Sequence, residues 1–177
     1  LYTLGYNASK KLMNLNLAVK ENLKTYLSQY RLMTDAVNIK DAYIINIGMK
    51  VNFIARSGYN KDEVSLRIIE RAKQFFNIDR WQINQPIIIQ ELAYELSIVE
   101  GVGAIVPPTQ DNPKNLSVLI TNKYSSAGGY SGNIYDINYA TKDGIVYPSL
   151  DPSIFELKYP NTDIEARAIG DSVGNQL

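Results

Sequence analysis

The chain has 177 residues, 18 basic and 18 acidic side chains, and neither cysteine nor histidine. That length suits one domain with a real core, or a compact domain plus a peripheral lobe. Zero net charge argues against a nucleic-acid surface; the missing Cys and His exclude disulfide scaffolds, Cys-based zinc sites and Ser-His-Asp or Cys-His catalysis.

The first predicted element is a helix over residues 8–33. Leu12, Leu15, Val19, Leu23, Tyr26 and Tyr30 recur at three- and four-residue steps and form one stripe. Asn7 or Ser9 would cap its start. The stripe serves either this chain's own core or a partner chain. Met13, Leu17 and Leu27 widen the apolar face and keep the second use open. Residues 34–40 read as a connector.

Residues 43–54 alternate. Tyr43, Ile45, Ile47, Met49, Val51 and Phe53 face one way, and Ile44, Asn46, Gly48, Lys50, Asn52 and Ile54 the other. This is the period of a long, half-buried antiparallel strand, with Gly48 marking a bulge or bend. Ser57-Gly58-Tyr59 turns the chain. Asn60 is an N-cap and Glu63 completes a capping-box pattern. A second helix then carries Val64, Ile68, Ala72 and Phe75 inward, widened by Ile69 and Phe76. Residues 77–85 form a link that holds the only tryptophan, Trp81. Pro86 suits the first turn of a third helix, whose stripe is Ile88, Leu92, Leu96 and Val99. Gly101 ends it, and residues 102–106 return as a strand stopped by Pro107-Pro108.

The remainder has a different texture. Residues 115–123 alternate as a strand. Residues 125–132, rich in Gly and Ser, read as a flexible hairpin loop, the segment most prone to disorder. Tyr135, Ile137 and Tyr139 alternate with Asp136 and Asn138 as a further strand. Asp143-Gly144 is a hairpin turn before Ile145-Val146-Tyr147. Two more alternating runs follow, at Phe155, Leu157 and Tyr159 and at Ile164, Ala166 and Ala168. The fold expected is α+β: an N-terminal helix (1–40), a strand-helix-helix-strand unit (41–108) and a lobe of short antiparallel strands (109–177). Trp81, Phe75 and Leu92 belong in its core.

Little in this pattern carries chemistry. The 125–132 loop lacks the lysine and the following helix of a phosphate loop. Asp111, Asp136, Asp143, Asp151, Glu156, Asp163 and Glu165 lie in turns or on polar strand faces, where solvation is the plain expectation. Asp136 and Asn138 lack the glycine and distal Glu of a calcium loop. No catalytic, cofactor-binding or metal-binding residue is therefore expected. Tyrosine is the abundant aromatic, with 13 copies against one Trp and four Phe, and it suits interfaces and sugar-stacking sites alike. The candidate interface residues are Leu17, Leu27, Tyr130, Tyr135, Tyr139, Tyr147 and Tyr159. No apolar run reaches the roughly 18 residues of a membrane span, and no signal peptide is visible. A start at Leu1 rather than methionine leads to the expectation of a fragment or processed product.

Several stretches resemble a known family. They are Asp41-Ala42-Tyr43-Ile44-Ile45-Asn46-Ile47-Gly48 with Val51-Asn52-Phe53, Asn60-Lys61-Asp62-Glu63-Val64, Trp81-Gln82-Ile83-Asn84-Gln85-Pro86-Ile87 and Val99-Glu100-Gly101-Val102. To these add Tyr2-Thr3-Leu4-Gly5-Tyr6, Asn22-Leu23-Lys24-Thr25-Tyr26-Leu27 and the run from Gly144-Ile145-Val146-Tyr147-Pro148 through Ser149-Leu150-Asp151-Pro152-Ser153 to Ile154-Phe155-Glu156-Leu157. Together they resemble the C-terminal part of the baseplate wedge proteins of T4-like contractile-tailed phages, and through it the broader baseplate J-like family. The resemblance spans most of the chain. It implies structural work in the virion tail, assembled in the host cytoplasm. Members form the inner ring around the tail tube. They pair within a wedge, meet copies in neighbouring wedges, and hold a helical partner and a small sheath-starting protein. The family's pattern includes no catalytic residues; no cofactor is expected, and charge balance and hydropathy speak against nucleic-acid and membrane partners. A carbohydrate-binding lobe built on the C-terminal tyrosines is the alternative, and an exposed coplanar tyrosine pair would favour it. A carboxylate hydrolase comes third, and would need two acidic groups facing across a cleft.

Overall fold

A computed structural model describes residues 1–30 and 36–170 of the chain. Helices and strands are mixed along it, as an α+β fold requires. The N-terminal helix is shorter than the stripe predicts. Two strand pieces, β1 (Tyr2–Thr3) and β2 (Gly5–Tyr6), come first, then β3 (Leu12–Met13), and only then α1 (Leu17–Ser28). Turn chemistry displaces the helix start. Asn7 Oδ1 accepts hydrogen bonds from the amides of Ser9 and Lys11, both at 2.9 Å, and Lys10 is left-handed at φ 55°. The side chain thus closes a turn between β2 and β3 instead of capping a helix. Asn16 is the actual cap, accepting from Val19 N at 2.9 Å. The last predicted helical positions, 31–33, and the start of the connector, 34–35, lie outside the described residues.

The connector ends in β4 (Lys40–Asp41), which pairs in parallel with β1. Next comes β5 (Tyr43–Ala55), a strand of 13 residues. It is buried on both faces over most of its length, not half-buried. Four strands hydrogen-bond along it, which is why its polar alternates, such as Asn46, lie inside. The bulge is also displaced: the register shift falls between Ile54 and Ala55, not at Gly48. Gly48 instead marks a close approach. A Cβ there would lie 2.6 Å from Lys123 Cε, 2.9 Å from Thr121 Oγ1 and 3.1 Å from the Asp163 carbonyl.

Helix α2 (Lys61–Phe75) forms as its stripe dictates, with Val64, Ile68 and Ala72 buried. Asn60 Oδ1 caps it through the Asp62 amide at 2.8 Å. Glu63 does not reach back to the cap; it pairs with Arg67 one turn on, at 2.6 Å. Pro86 does not open a helix. It precedes β6 (Ile87–Ile88), and α3 (Ile89–Ser97) begins after it, burying Ile89, Leu92 and Leu96. Gly101, at φ 91°, closes the turn into β7 (Val102–Val106).

In the C-terminal segment β8 (Leu119–Asn122) is followed by α4 (Ile137–Ala140). That one-turn helix replaces the strand expected around Tyr135–Tyr139, because Asp136 Oδ1 caps it through Tyr139 N at 2.9 Å. A hairpin of β9 (Thr141–Lys142) and β10 (Ile145–Val146) turns on Asp143 and Gly144, both at positive φ, the two-residue turn that suits twisted strands. β10 also pairs with β6, and the Gly144 carbonyl accepts the first amide of α3 at 2.9 Å. The last elements among the described residues are β11 (Ser153–Glu156), α5 (Pro160–Asp163) and β12 (Ile164–Ala168).

Not all these strands are antiparallel. β11 and β12 run parallel to β5, against residues 43–46 and 49–53, whereas β8 and β7 run antiparallel to it. The five-stranded sheet therefore draws on both sides of residue 108, and that boundary is one of sequence texture. α2 packs on β12 and α3, and α3 on β7. Trp81 and Leu92 are buried, and half-buried Phe75 packs against the same core. The Trp81 ring lies 5.8 Å from that of Phe75 and 5.2 Å from that of Phe76.

Candidate interaction surfaces

Helix α1 stands out among the longer helices for its exposure. None of its 12 residues is buried. Leu17, Val19 and Tyr26 are open to solvent, Leu17 at 73%, while Leu23 and Leu27 are half-buried. A helix of this length is marginal in water by itself. One ion pair ties it to the body: Lys20 Nζ to Asp41 Oδ2 at 2.6 Å, with both side chains largely shielded. Tyr26 and Tyr30 add a tilted ring pair 5.3 Å apart, readable in the sequence only as a four-residue spacing.

The C-terminal tyrosines divide into two groups. Tyr130 and Tyr135 turn inward. The Tyr130 hydroxyl donates to Asp163 Oδ1, and its ring meets Tyr159 edge-on at 5.4 Å. Burial, followed by the hydrogen bond and charge of Asp163, pushes the Tyr130 hydroxyl up to about 12. Tyr135 donates to the Tyr147 carbonyl at 2.7 Å and packs on Phe155; burial raises its hydroxyl as well. Tyr139 and Tyr147 face outward, and Tyr159 is partly exposed. The Tyr130–Tyr159 and Tyr26–Tyr30 pairs cross at 74° and 56°, so neither offers two coplanar faces. Leu66 on α2, Tyr94 on α3 and Ile98 just after α3 are exposed as well. They sit off the buried stripes, where sequence reading assigns no use.

Two carboxylates expected on a solvated face are buried, Glu156 at 4% and Asp163 at 2% exposure. Both are held by donors. Glu156 takes Leu12 N at 2.7 Å and Asn46 Nδ2 at 2.8 Å. Asp163 takes the Tyr130 hydroxyl and, at 3.0 Å, Tyr159 N. Each oxygen thus serves a structural bond, which compensates the desolvation of the charge. Asp111, Asp136, Asp143, Asp151 and Glu165 are exposed. Among the described residues no group of three or more acidic side chains is placed to hold a metal ion, and no helix is long and apolar enough to cross a membrane.

The 125–132 loop is not a loose hairpin. It contains a 3₁₀ turn, Ser126–Gly128, and then a strap fastened to β5. Ser131 N donates to Asn46 Oδ1 at 2.8 Å, and Ser131 Oγ to the Ile44 carbonyl at 2.7 Å. Gly129 and Gly132 take positive φ, and a Cβ on Gly129 would lie 2.6 Å from the Tyr159 hydroxyl. Below the strap opens a cleft of about 560 Å³ lined by Leu12, Lys20, Asp41, Asn46, Ser131 and Glu156, among others. A second, of about 470 Å³, lies beside Trp81, between Arg71, Arg80, Glu91 and Glu95. Its opposed charges are partly spent on each other, since Arg71 pairs with Glu95. Among known proteins, no family model and no curated sequence matches this chain.

Proposed function

We propose that this chain is a structural component of a contractile phage tail baseplate. In this reading it works in wedge assembly and inner-ring formation, through self-association and contacts with other wedge proteins, and it catalyses nothing. The resemblance of its sequence blocks to the baseplate J-like family supplies the context. One structural observation supports the reading: α1 buries none of its residues fully and leaves Leu17, Val19 and Tyr26 exposed. Burying a Leu or Val side chain gains about 1.5–3 kcal/mol, so a second chain laid on this helix would stabilise both. The outward Tyr139 and Tyr147 provide further interface-type surface.

Light scattering after size exclusion, over a dilution series, tests the self-association. The expected result is a mass that rises with concentration towards a dimer or larger. Leu17→Glu with Val19→Glu should return the chain to monomer while leaving its far-ultraviolet circular dichroism unchanged. A strict monomer at every concentration would refute self-association through α1.

A further inference from the structure

We infer that a buried side-chain relay couples the N-terminal β2–β3 hairpin to the 125–133 strap, so that loosening one end loosens the other. The relay has three links and one polarity. Leu12 N–H, on the hairpin, donates to Glu156 Oε1 at 2.7 Å. Asn46 Nδ2 donates to Glu156 Oε2 at 2.8 Å. Ser131 N–H, on the strap, donates to Asn46 Oδ1 at 2.8 Å. Leu12, Asn46 and Glu156 are all buried, and Asn46 has no exposure at all.

The polarity makes the arrangement cooperative. A carboxylate only accepts, so Glu156 requires a donor at each oxygen. Asn46 must therefore point its NH2 at Glu156, which leaves its carbonyl for Ser131. Turning the amide over would break both bonds at once, setting acceptor against acceptor and donor against donor. If the hairpin withdraws Leu12 N–H, a buried carboxylate oxygen loses its donor, and an unsatisfied buried charge is costly. Glu156 then gains by turning towards water, and Asn46 loses the bond that orients it. At the strap end, side chains and one backbone amide hold the carbonyls of Ile44 and Asn46. The Ile44 carbonyl takes Ser131 Oγ at 2.7 Å and Asn133 Nδ2 at 2.9 Å, and the Asn46 carbonyl takes Lys123 N and Asn122 Nδ2. Releasing Ser131 removes the amide and hydroxyl bonds together and leaves the Ile44 carbonyl to Asn133 alone.

Hydrogen exchange followed by mass spectrometry on the full chain, at concentrations where it is monomeric, tests the coupling. Two variants perturb it differently. Asn7→Ala removes the acceptor that shapes the hairpin turn at an exposed position, away from the relay and the core. Glu156→Gln places an N–H against an N–H in the relay whichever way its amide turns. Coupling predicts that both variants speed exchange at residues 5–13 and also at 126–133, by about threefold or more, while α2 and the β9–β10 hairpin keep the parent rate. Faster exchange at 5–13 with an unchanged strap in Asn7→Ala overturns the inference. That variant decides alone if Glu156→Gln unfolds the chain. The result is independent of the baseplate reading, which light scattering tests separately.

Discussion

Replacing Trp81 tests the core and a buried polar defect together. The indole is 8% exposed and packs against both Phe75 and Phe76. A buried tryptophan covers about 150–250 Å², worth about 4–6 kcal/mol as an upper bound at ~25 cal/mol/Å². Against this stands its Nε1, which is buried with no acceptor among the described residues. An unsatisfied buried donor costs about 1–3 kcal/mol. Trp81→Ala should therefore destabilise by about 3–4 kcal/mol, within the range for aromatic truncation. Trp81→Phe keeps much of the ring and deletes the orphan donor, so it should fall within about 1 kcal/mol of the parent. Urea denaturation followed by circular dichroism measures both, since each variant removes the only tryptophan. In thermal melts Trp81→Ala should lower Tm by about 6–15 °C for a chain of this size. A near-neutral Trp81→Ala would place the ring outside the core. A Trp81→Phe as damaging as Trp81→Ala would mean that the indole N–H has a partner after all.

Gly48→Ala should destabilise by about 1–3 kcal/mol, because the Asp163 carbonyl, unlike the Lys123 tail, cannot swing away from the new Cβ; an unchanged melt would show that β5 and α5 are less tightly apposed. Asn60→Ala should cost about 1 kcal/mol through loss of the α2 cap, read by the same melts, and no change would mean that water replaces the Asn60–Asp62 bond without loss. For Tyr130 the sign follows from its raised hydroxyl. Below pH 10 it is protonated folded or unfolded, and its contribution is intact. Between 10 and about 12 the unfolded chain ionises while the folded chain holds the proton, so stability falls as pH rises through that window. Tyr130→Phe should flatten this part of the pH–stability curve, and an identical slope in parent and variant would refute the assignment.

Local signals in the sequence served well where local forces decide. Helix α2 carries its own cap and stripe, and it forms where they place it. The Asp143-Gly144 turn is equally self-contained. Misreadings arose where a distant partner overrides the local pattern. Residues 87–88 continue the α3 stripe, yet pairing with Ile145 and Val146 draws them into a strand. Strand direction is not encoded in alternation at all, so β11 and β12 gave no sign of running parallel to β5. Burial of Glu156 was equally hidden, since its donors Leu12 and Asn46 lie 144 and 110 positions away.

The interface residues show the same division. Nothing in the sequence around Tyr130 and Tyr135 separates them from Tyr139 and Tyr147. Asp163 and the Tyr147 carbonyl supply internal partners for the first two hydroxyls, and the rings follow them inward. In α1 the stripe predicted a helix, and the helix exists, but periodicity says only that one face is apolar. It does not say what covers that face. Here Leu23 and Leu27 are half-buried, Leu17, Val19 and Tyr26 stay exposed, and Lys20 ties the helix to Asp41. The exposed part of this apolar surface has no use in the described fold, which is the physical reason to look for its use in assembly.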